Sequence, residues 1–160
     1  MASSTIDPDP VSPVVRLATP EDELALAALL LRCRYATFHW RTPDSFSLTD
    51  FAIETAGEKI WVATLESGEL VGFISVWMPE HFIHHLYVEP DRQRLGIGKM
   101  LLAAVLQSAP ATWSLKCAIK NVPALSFYEG QGWKIVGRGE DIGSDYYLML
   151  SPALPDVPAS

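Results

Sequence analysis

The chain predicts a mixed α/β fold, and three observations carry that prediction. Short β-rich runs alternate with apolar segments of helical period, two of the runs are joined by Ser67-Gly68 as a hairpin, and a strand–loop–helix–strand passage follows mid-chain. The predicted order is β-α-α-β-β-β-α-β-α-β-β. The strand–helix–strand passage calls for a parallel pair with a right-handed crossover. The hairpins on either side call for antiparallel strands, so the sheet is mixed with helices on both faces.

"VVRLA", Val14–Ala18, is the first short strand. Thr19 then caps a helix with Pro20 at its first position and acidic residues in its first turn, all favourable at a helix N-terminus. Its apolar residues continue through Leu24, Leu29 and Tyr35 to about Phe38. A second helix starts at Ser47 with the box-like "SLTD" and ends at Gly57. "KIWVATLE" and "ELVGFISVWM" form the hairpin, and "HFIHHLYV" is a third consecutive strand. The helix Gly98–Gln107 is apolar almost all round, as a helix buried against a sheet must be. "WSLKCAI" is another strand, Asn121 caps the helix "VPALSFYEGQ", and Gly132 ends it. "WKIVGRGE" and "DYYLML" close the chain as an antiparallel pair.

The 160 residues fit one domain, expected over 13–151, with proline- and serine-rich flexible tails at 1–12 and 152–160. A hydrophobic content of 49% opposes disorder. The longest apolar run, Leu24–Leu31, is eight residues between charges, too short to span a membrane. The N-terminus has neither the basic nor the apolar region of a secretory signal. Two cysteines, Cys33 and Cys117, suit reduced core positions better than a disulfide. These features predict a cytoplasmic location. A net charge of −7 argues against a nucleic-acid partner, which calls for a basic face.

The segment "LYVEPDRQRLGIGKMLLAAVL", Leu86–Leu106, passes from strand to helix through arginines and a glycine pair. A Walker loop is excluded, because Met100 follows Gly98-Lys99 and Gln93 stands where the first glycine belongs. A dinucleotide fingerprint fails as well, with Leu101 at the third glycine position. The run Gln93-Arg94-Leu95-Gly96-Ile97-Gly98 does satisfy Q/R-x-x-G-x-G/A, in which loop and helix N–H groups converge on a pyrophosphate. On these six residues alone, an ordinary strand-to-helix turn with basic surface residues accounts for the pattern equally well.

A second segment, "LKCAIKNVPALSFYEGQGWKIVG", adds N-x-x-A-x-x-F-Y-E-x-x-G-W through Asn121, Ala124, Phe127, Tyr128, Glu129, Gly132 and Trp133. Together the two motifs, in this order and separated by one helix, resemble the GCN5-related N-acetyltransferases over about residues 14–150. The resemblance implies acetyl-CoA as co-substrate. It places the pantetheine arm between splayed strands along Leu86, Tyr87 and Val88, with a main-chain N–H near Leu86 polarising the thioester carbonyl. Gln93, Arg94, Leu95, Gly96, Ile97, Gly98 and Lys99 would hold the pyrophosphate, and Asn121 and Phe127 would line the other side.

Acetylating an amine requires that an ammonium with a pKa of about 10.4 lose a proton, and that the departing thiolate gain one. The resemblance implies Tyr128 as the acid for the second step, since a phenol donates without the charge penalty of a buried carboxyl. For the base, strand alternation puts Phe82, His84, Leu86 and Val88 on one face, and the family often carries its base on this strand. His84 is therefore the candidate base, and a half-buried, hydrogen-bonded histidine is the competing account. His85 points the other way and reads as structural. No metal is expected at His81, His84 and His85, because neighbours on a strand face opposite ways and no carboxylate or cysteine lies at ligand spacing. Cys117 reads as core rather than nucleophile. Trp77, Phe38, His39 and Trp40 are candidates for the acceptor pocket.

The expected activity is direct acetyl transfer to a primary amine on a small molecule, amino acid or protein, by a monomer or homodimer with no membrane partner. The alternative is a catalytically silent acyl-CoA-binding sensor, which needs Gly96 and Gly98 but neither Tyr128 nor His84. A toxin acetylating aminoacyl-tRNA would want a basic surface, and the acidic balance opposes it.

Overall fold

The computed structural model describes residues 13–38, 40–93, 95–141 and 144–152. The tails expected at 1–12 and beyond Pro152 lie outside the described residues. Strand β1, Val14–Leu17, leads through a 3-10 turn at Pro20–Asp22 into α1, Glu23–Thr37. The entry is held as its sequence suggests, with the Thr19 N–H donating to Asp22 Oδ2 at 2.8 Å. Helix α2 is shorter than expected and spans Asp50–Glu54. Ser47 does donate its N–H to Asp50 Oδ2 at 2.9 Å, but the Thr49 N–H turns back to Ser47 Oγ at 3.3 Å. Both are capping bonds, and the turn they cap is closed by an i to i+3 bond from the Asp50 N–H to the Ser47 carbonyl at 3.1 Å before the α-helix begins.

Strands β2 (Lys59–Thr64), β3 (Leu70–Trp77) and β4 (Phe82–Val88) follow, then α3 (Ile97–Ser108), β5 (Ser114–Ala118), α4 (Val122–Gly130), β6 (Lys134–Asp141) and β7 (Ser144–Leu150). His81, expected at the start of β4, instead adopts a left-handed conformation (φ 49°) after the 3-10 turn Met78–Glu80. The seven strands form one sheet in the order β1-β2-β3-β4-β5-β7-β6. Among the described residues only β4 and β5 run parallel, across the predicted crossover, and the other pairs are antiparallel.

Each face of the sheet carries its own core. On one, Leu26, Leu29, Leu30 and Cys33 recur at helical spacing along α1 and pack with Phe51 of α2 against Val62 and Phe73. Leu24 and Tyr35, counted in the predicted apolar run, are exposed. The other face takes α3 and α4, with Leu101, Leu102, Val105 and Tyr128 packed around Ile74, Val76, Trp113 and Met149. Both cysteines are buried free thiols, and desolvation pushes each up to about 12, where it is inert as a nucleophile. Among the described residues no helix is long and apolar enough to cross a membrane.

Gly72 sets how closely α3 approaches the sheet. A Cβ there would lie 3.1 Å from the Tyr87 carbonyl oxygen and 3.2 Å from side-chain carbons of Ile97 and Leu101. Gly72→Val is therefore expected to cost about 2 kcal/mol through overpacking, read as a lowered denaturant midpoint. Because Ile97 opens α3, the same change should also weaken ligand binding at that helix start.

Candidate functional site

One residue, His84, sets the course of β4. A bulge falls between Ser75 and Val76, whose partners are His85 and Ile83, so His84 is the extra residue with no partner on β3. The extra residue shifts the parity of the strand. Ile83 joins Leu86 and Val88 on the α3 and α4 side, while Tyr87 packs on the α1 side. The alternation expected from sequence, with His84 on the face of Leu86 and Val88, is thus corrected. That rule assumes a regular strand, and a bulge breaks its period of two.

Beyond the bulge the sheet opens. Parallel pairing of β4 with β5 stops at Ile83↔Leu115. β4 continues to pair with β3 as far as Val88, and β5 with β7 as far as Ala118. Between these two strand ends, backbone groups face a gap without sheet partners. A cavity of about 720 Å³ occupies it, reaching from α1 past Leu86–Val88 to the start of α3 and across to α4. The cavity is large enough for an extended small molecule.

The loop after β4 enters α3 through Gly96, which caps the helix at φ 80°. Only glycine holds that backbone conformation without strain. Gly98 leaves the first turn bare against the cavity, because a Cβ there would meet Phe127 and Val88 at 3.5 and 3.8 Å, in ordinary contact. The N–H groups of this turn and the helix dipole make an anion-binding end. Lys99 lines the cavity and makes no ion pair among the described residues.

Of the residues expected around a pyrophosphate and pantetheine, Leu86 to Val88, Gln93, Gly96 to Lys99, Asn121 and Phe127 all line this one cavity. Leu95 is exposed and is not part of the lining. Arg94 lies outside the described residues. Two of the group also serve local structure. The Gln93 Nε2 donates to the Val88 carbonyl at 3.3 Å, and Asn121 Oδ1 caps α4 by accepting from the Ala124 N–H at 3.3 Å. The sequence reading missed Thr37 of α1 and Lys120, which also line the cavity. Lys120, next to the motif's Asn121, was within reach of sequence reasoning, but Thr37 carried no signal. Of the acceptor-pocket candidates Trp40 lines the cavity, Phe38 and Trp77 do not, and His39 lies outside the described residues.

Tyr128 lies at the cavity floor, buried, with its ring edge-on to Phe127 at 5.3 Å and Trp133 at 5.7 Å. Burial first, then the proximity of Cys117 and Tyr87, raises its phenol above the ordinary range. It is therefore a phenol, and a proton donor, at every physiological pH. No imidazole or carboxylate lines the cavity among the described residues.

Two of the histidines, His84 and His85, gather elsewhere, against Glu54 of α2. His85 is buried, with Nδ1 2.8 Å from Ser75 Oγ and Nε2 3.0 Å from Glu54 Oε1. Arg34 grips the same Glu54 through both terminal nitrogens, at 2.6 and 2.9 Å. Burial would push the Glu54 carboxyl up, but His85 and Arg34 together hold it well below the usual carboxylate range. Desolvation lowers His85 despite Glu54, so its ring is neutral. His84, more exposed, places Nδ1 2.9 Å from Glu58 Oε2 and stacks 4.1 Å from the His85 ring. The sequence-based dismissal of a His cluster fails on both of its grounds. The bulge turns the two imidazoles to one side, and the carboxylates arrive from α2 and the loop after it rather than from neighbouring positions.

Comparison with known proteins adds four findings. A model of the acetyltransferase (GNAT) family matches residues 24–133. The peptidyl-lysine N-acetyltransferase YjaB of Salmonella typhimurium is 37% identical over 92 residues, 56% of this chain and 61% of that protein. The peptidyl-lysine N-acetyltransferase YiaC of Escherichia coli is 37% identical over 99 residues, 61% of this chain and 63% of its own length. The match thus spans about three fifths of the curated relatives. Among solved structures, the PaiA N-acetyltransferase of Thermoplasma acidophilum in complex with coenzyme A shares the fold. It aligns with a TM-score of 0.74 at 20% identity, over 88% of this chain and 99% of that one.

Proposed function

The chain belongs to the acetyltransferase (GNAT) family, and from that premise we propose that it transfers the acetyl group of acetyl-CoA to a primary amine by direct attack in a ternary complex. The observation that carries the reading is the gap between β4 and β5 that ends on the bare first turn of α3. An amide-bearing arm fits the unpaired strand edges of that gap, and a diphosphate fits the helix N-terminus. Acetyl-CoA combines both and supplies the reactive thioester.

In this reading the chain does four things. The loop from Gln93 to Lys99 anchors the diphosphate. Backbone groups of Leu86 to Val88 align the pantetheine, with the Leu86 N–H directed at the thioester carbonyl, where charge develops during attack. Asn121 and Phe127 close the opposite wall. Tyr128 donates its proton to the departing sulfur. The ammonium's proton goes to water, since His84 stands outside the cavity lining and no other base lines it among the described residues. The acceptor class is a lysine side chain of a protein or peptide, a reading supported by the activities for which YjaB and YiaC are named.

The test is thiol release from acetyl-CoA with lysine peptides, free amino acids and aminoglycosides, followed by mass spectrometry of the products. Amine-dependent release with acetyl-lysine in the peptide is expected. Coenzyme A binding without turnover on any amine would instead indicate an acyl-CoA-binding module. Absence of binding would overturn the whole reading.

A further inference from the structure

We propose that Glu54, His84 and His85 form a binding site for a divalent transition-metal ion of the zinc class, separate from the cavity and independent of the acetyltransferase reading. One ligand atom from each of the three lies within 4.8 Å of the other two. Two imidazoles and one carboxylate make the mixed N/O donor set that zinc takes, with a water completing a tetrahedron. Ligands around zinc at 2.0–2.2 Å stand about 3.4 Å apart, so a small rotation of the exposed His84 ring closes the set.

The outer partners of these ligands are already in place. Ser75 Oγ sits 2.8 Å from His85 Nδ1, which leaves Nε2 facing Glu54. Glu58 Oε2 sits 2.9 Å from His84 Nδ1, which leaves that ring's Nε2 to coordinate. A metal-bound histidine characteristically donates its second N–H to an oxygen acceptor of this kind, and the partner fixes both tautomer and orientation. Glu54 Oε2 keeps its bond from Arg34 Nη1, and Oε1, which accepts from Arg34 Nη2 at 2.6 Å, turns to the ion as that nitrogen, 3.5 Å from His85 Nε2, draws back.

The charges point the same way. Asp50 and Glu54 pair with one cation, Arg34, while Glu58 meets only the two histidines, and no other lysine or arginine pairs with the three among the described residues. Three carboxylates against one guanidinium leave an excess of formal negative charge beside the two imidazoles, which a dication offsets. The Glu58 side chain is only 7% exposed, yet its Oε1 is buried without a hydrogen-bond partner, 4.0 Å from His85 Nδ1. A carboxylate oxygen so placed is costly, and a nearby cation offsets that cost. An ion here would tie α2 to the β4 bulge that sets the direction of Leu86–Val88.

The experiment titrates the tag-free full chain with zinc in competition with a chromophoric chelator, and with cobalt(II) for its visible absorption. One equivalent of zinc is expected to bind, with a four-coordinate cobalt spectrum and a raised Tm. His84→Ala, at an exposed position, should weaken binding by at least about tenfold, as should Glu58→Gln through loss of the outer partner. His85→Asn should abolish it, and His81→Ala should leave it unchanged. No stoichiometric binding by the wild type overturns the proposal, as does binding that His84→Ala leaves undiminished. If His85→Asn fails to fold, the His84 and Glu58 variants decide the question alone.

Discussion

Tyr128→Phe is expected to lower kcat by about 100-fold, at the lower end of what a positioned acid contributes, while acetyl-CoA affinity stays unchanged. The phenylalanine ring preserves the edge contacts with Phe127 and Trp133, so only the hydroxyl is lost and the fold is kept. The pH profile sharpens the test. Burial holds the Tyr128 phenol above its ordinary pKa of about 10, so the acid stays protonated wherever the enzyme is assayed. Wild-type kcat/KM should therefore rise with pH as the acceptor amine deprotonates, with no alkaline fall caused by Tyr128. The variant should follow the same rising limb at lower amplitude. Thiol release at saturating acetyl-CoA, measured from pH 6 to 10, checks both points, and an undiminished kcat would remove Tyr128 from the chemistry.

The parts of this molecule that sequence reasoning reached are those set by short-range physics. Gly96 at a positive φ, Asn121 capping α4 and Gly68 in the hairpin turn each announce themselves within a few residues. The crossover between β4 and β5 follows from strand handedness once the intervening helix is recognised. The β4 bulge was not legible, because it arises from how β4 registers against β3, ten residues back in the chain. A period-two reading has no means of placing an extra residue. Its consequence is the largest correction here, since it moves His84 away from the cavity side and beside His85. Glu54 and Glu58 were unreadable for a related reason. They meet these histidines from 31 and 26 positions earlier, through the packing of α2 on the sheet. Helix α2 begins late because its capped first turn is closed by an i to i+3 bond from the Asp50 N–H to the Ser47 carbonyl, a local geometry that propensity does not decide.

Gly98→Glu separates the stability of α3 from its proposed ligand, because the two respond with opposite sign. An acidic side chain in the first turn of a helix interacts favourably with the helix dipole, by some 0.3–1 kcal/mol. A glycine replaced within a helix also recovers about 0.5–1 kcal/mol of backbone entropy. The space is available, since the Cβ would meet Phe127 and Val88 at ordinary contact distances. The Tm of the free protein should therefore hold or rise. A diphosphate at the same N–H groups would meet a carboxylate instead of open backbone, and would suffer both like-charge repulsion and loss of close approach. Acetyl-CoA affinity should fall about 100-fold, equivalent to about 2.7 kcal/mol, read as KM in thiol release and as Kd in calorimetry. Gly98→Ala adds the Cβ without the charge, so its smaller loss isolates the steric part. Should Gly98→Glu bind acetyl-CoA as tightly as the wild type, the diphosphate does not sit on the first turn of α3. The splayed strands would then need a different ligand.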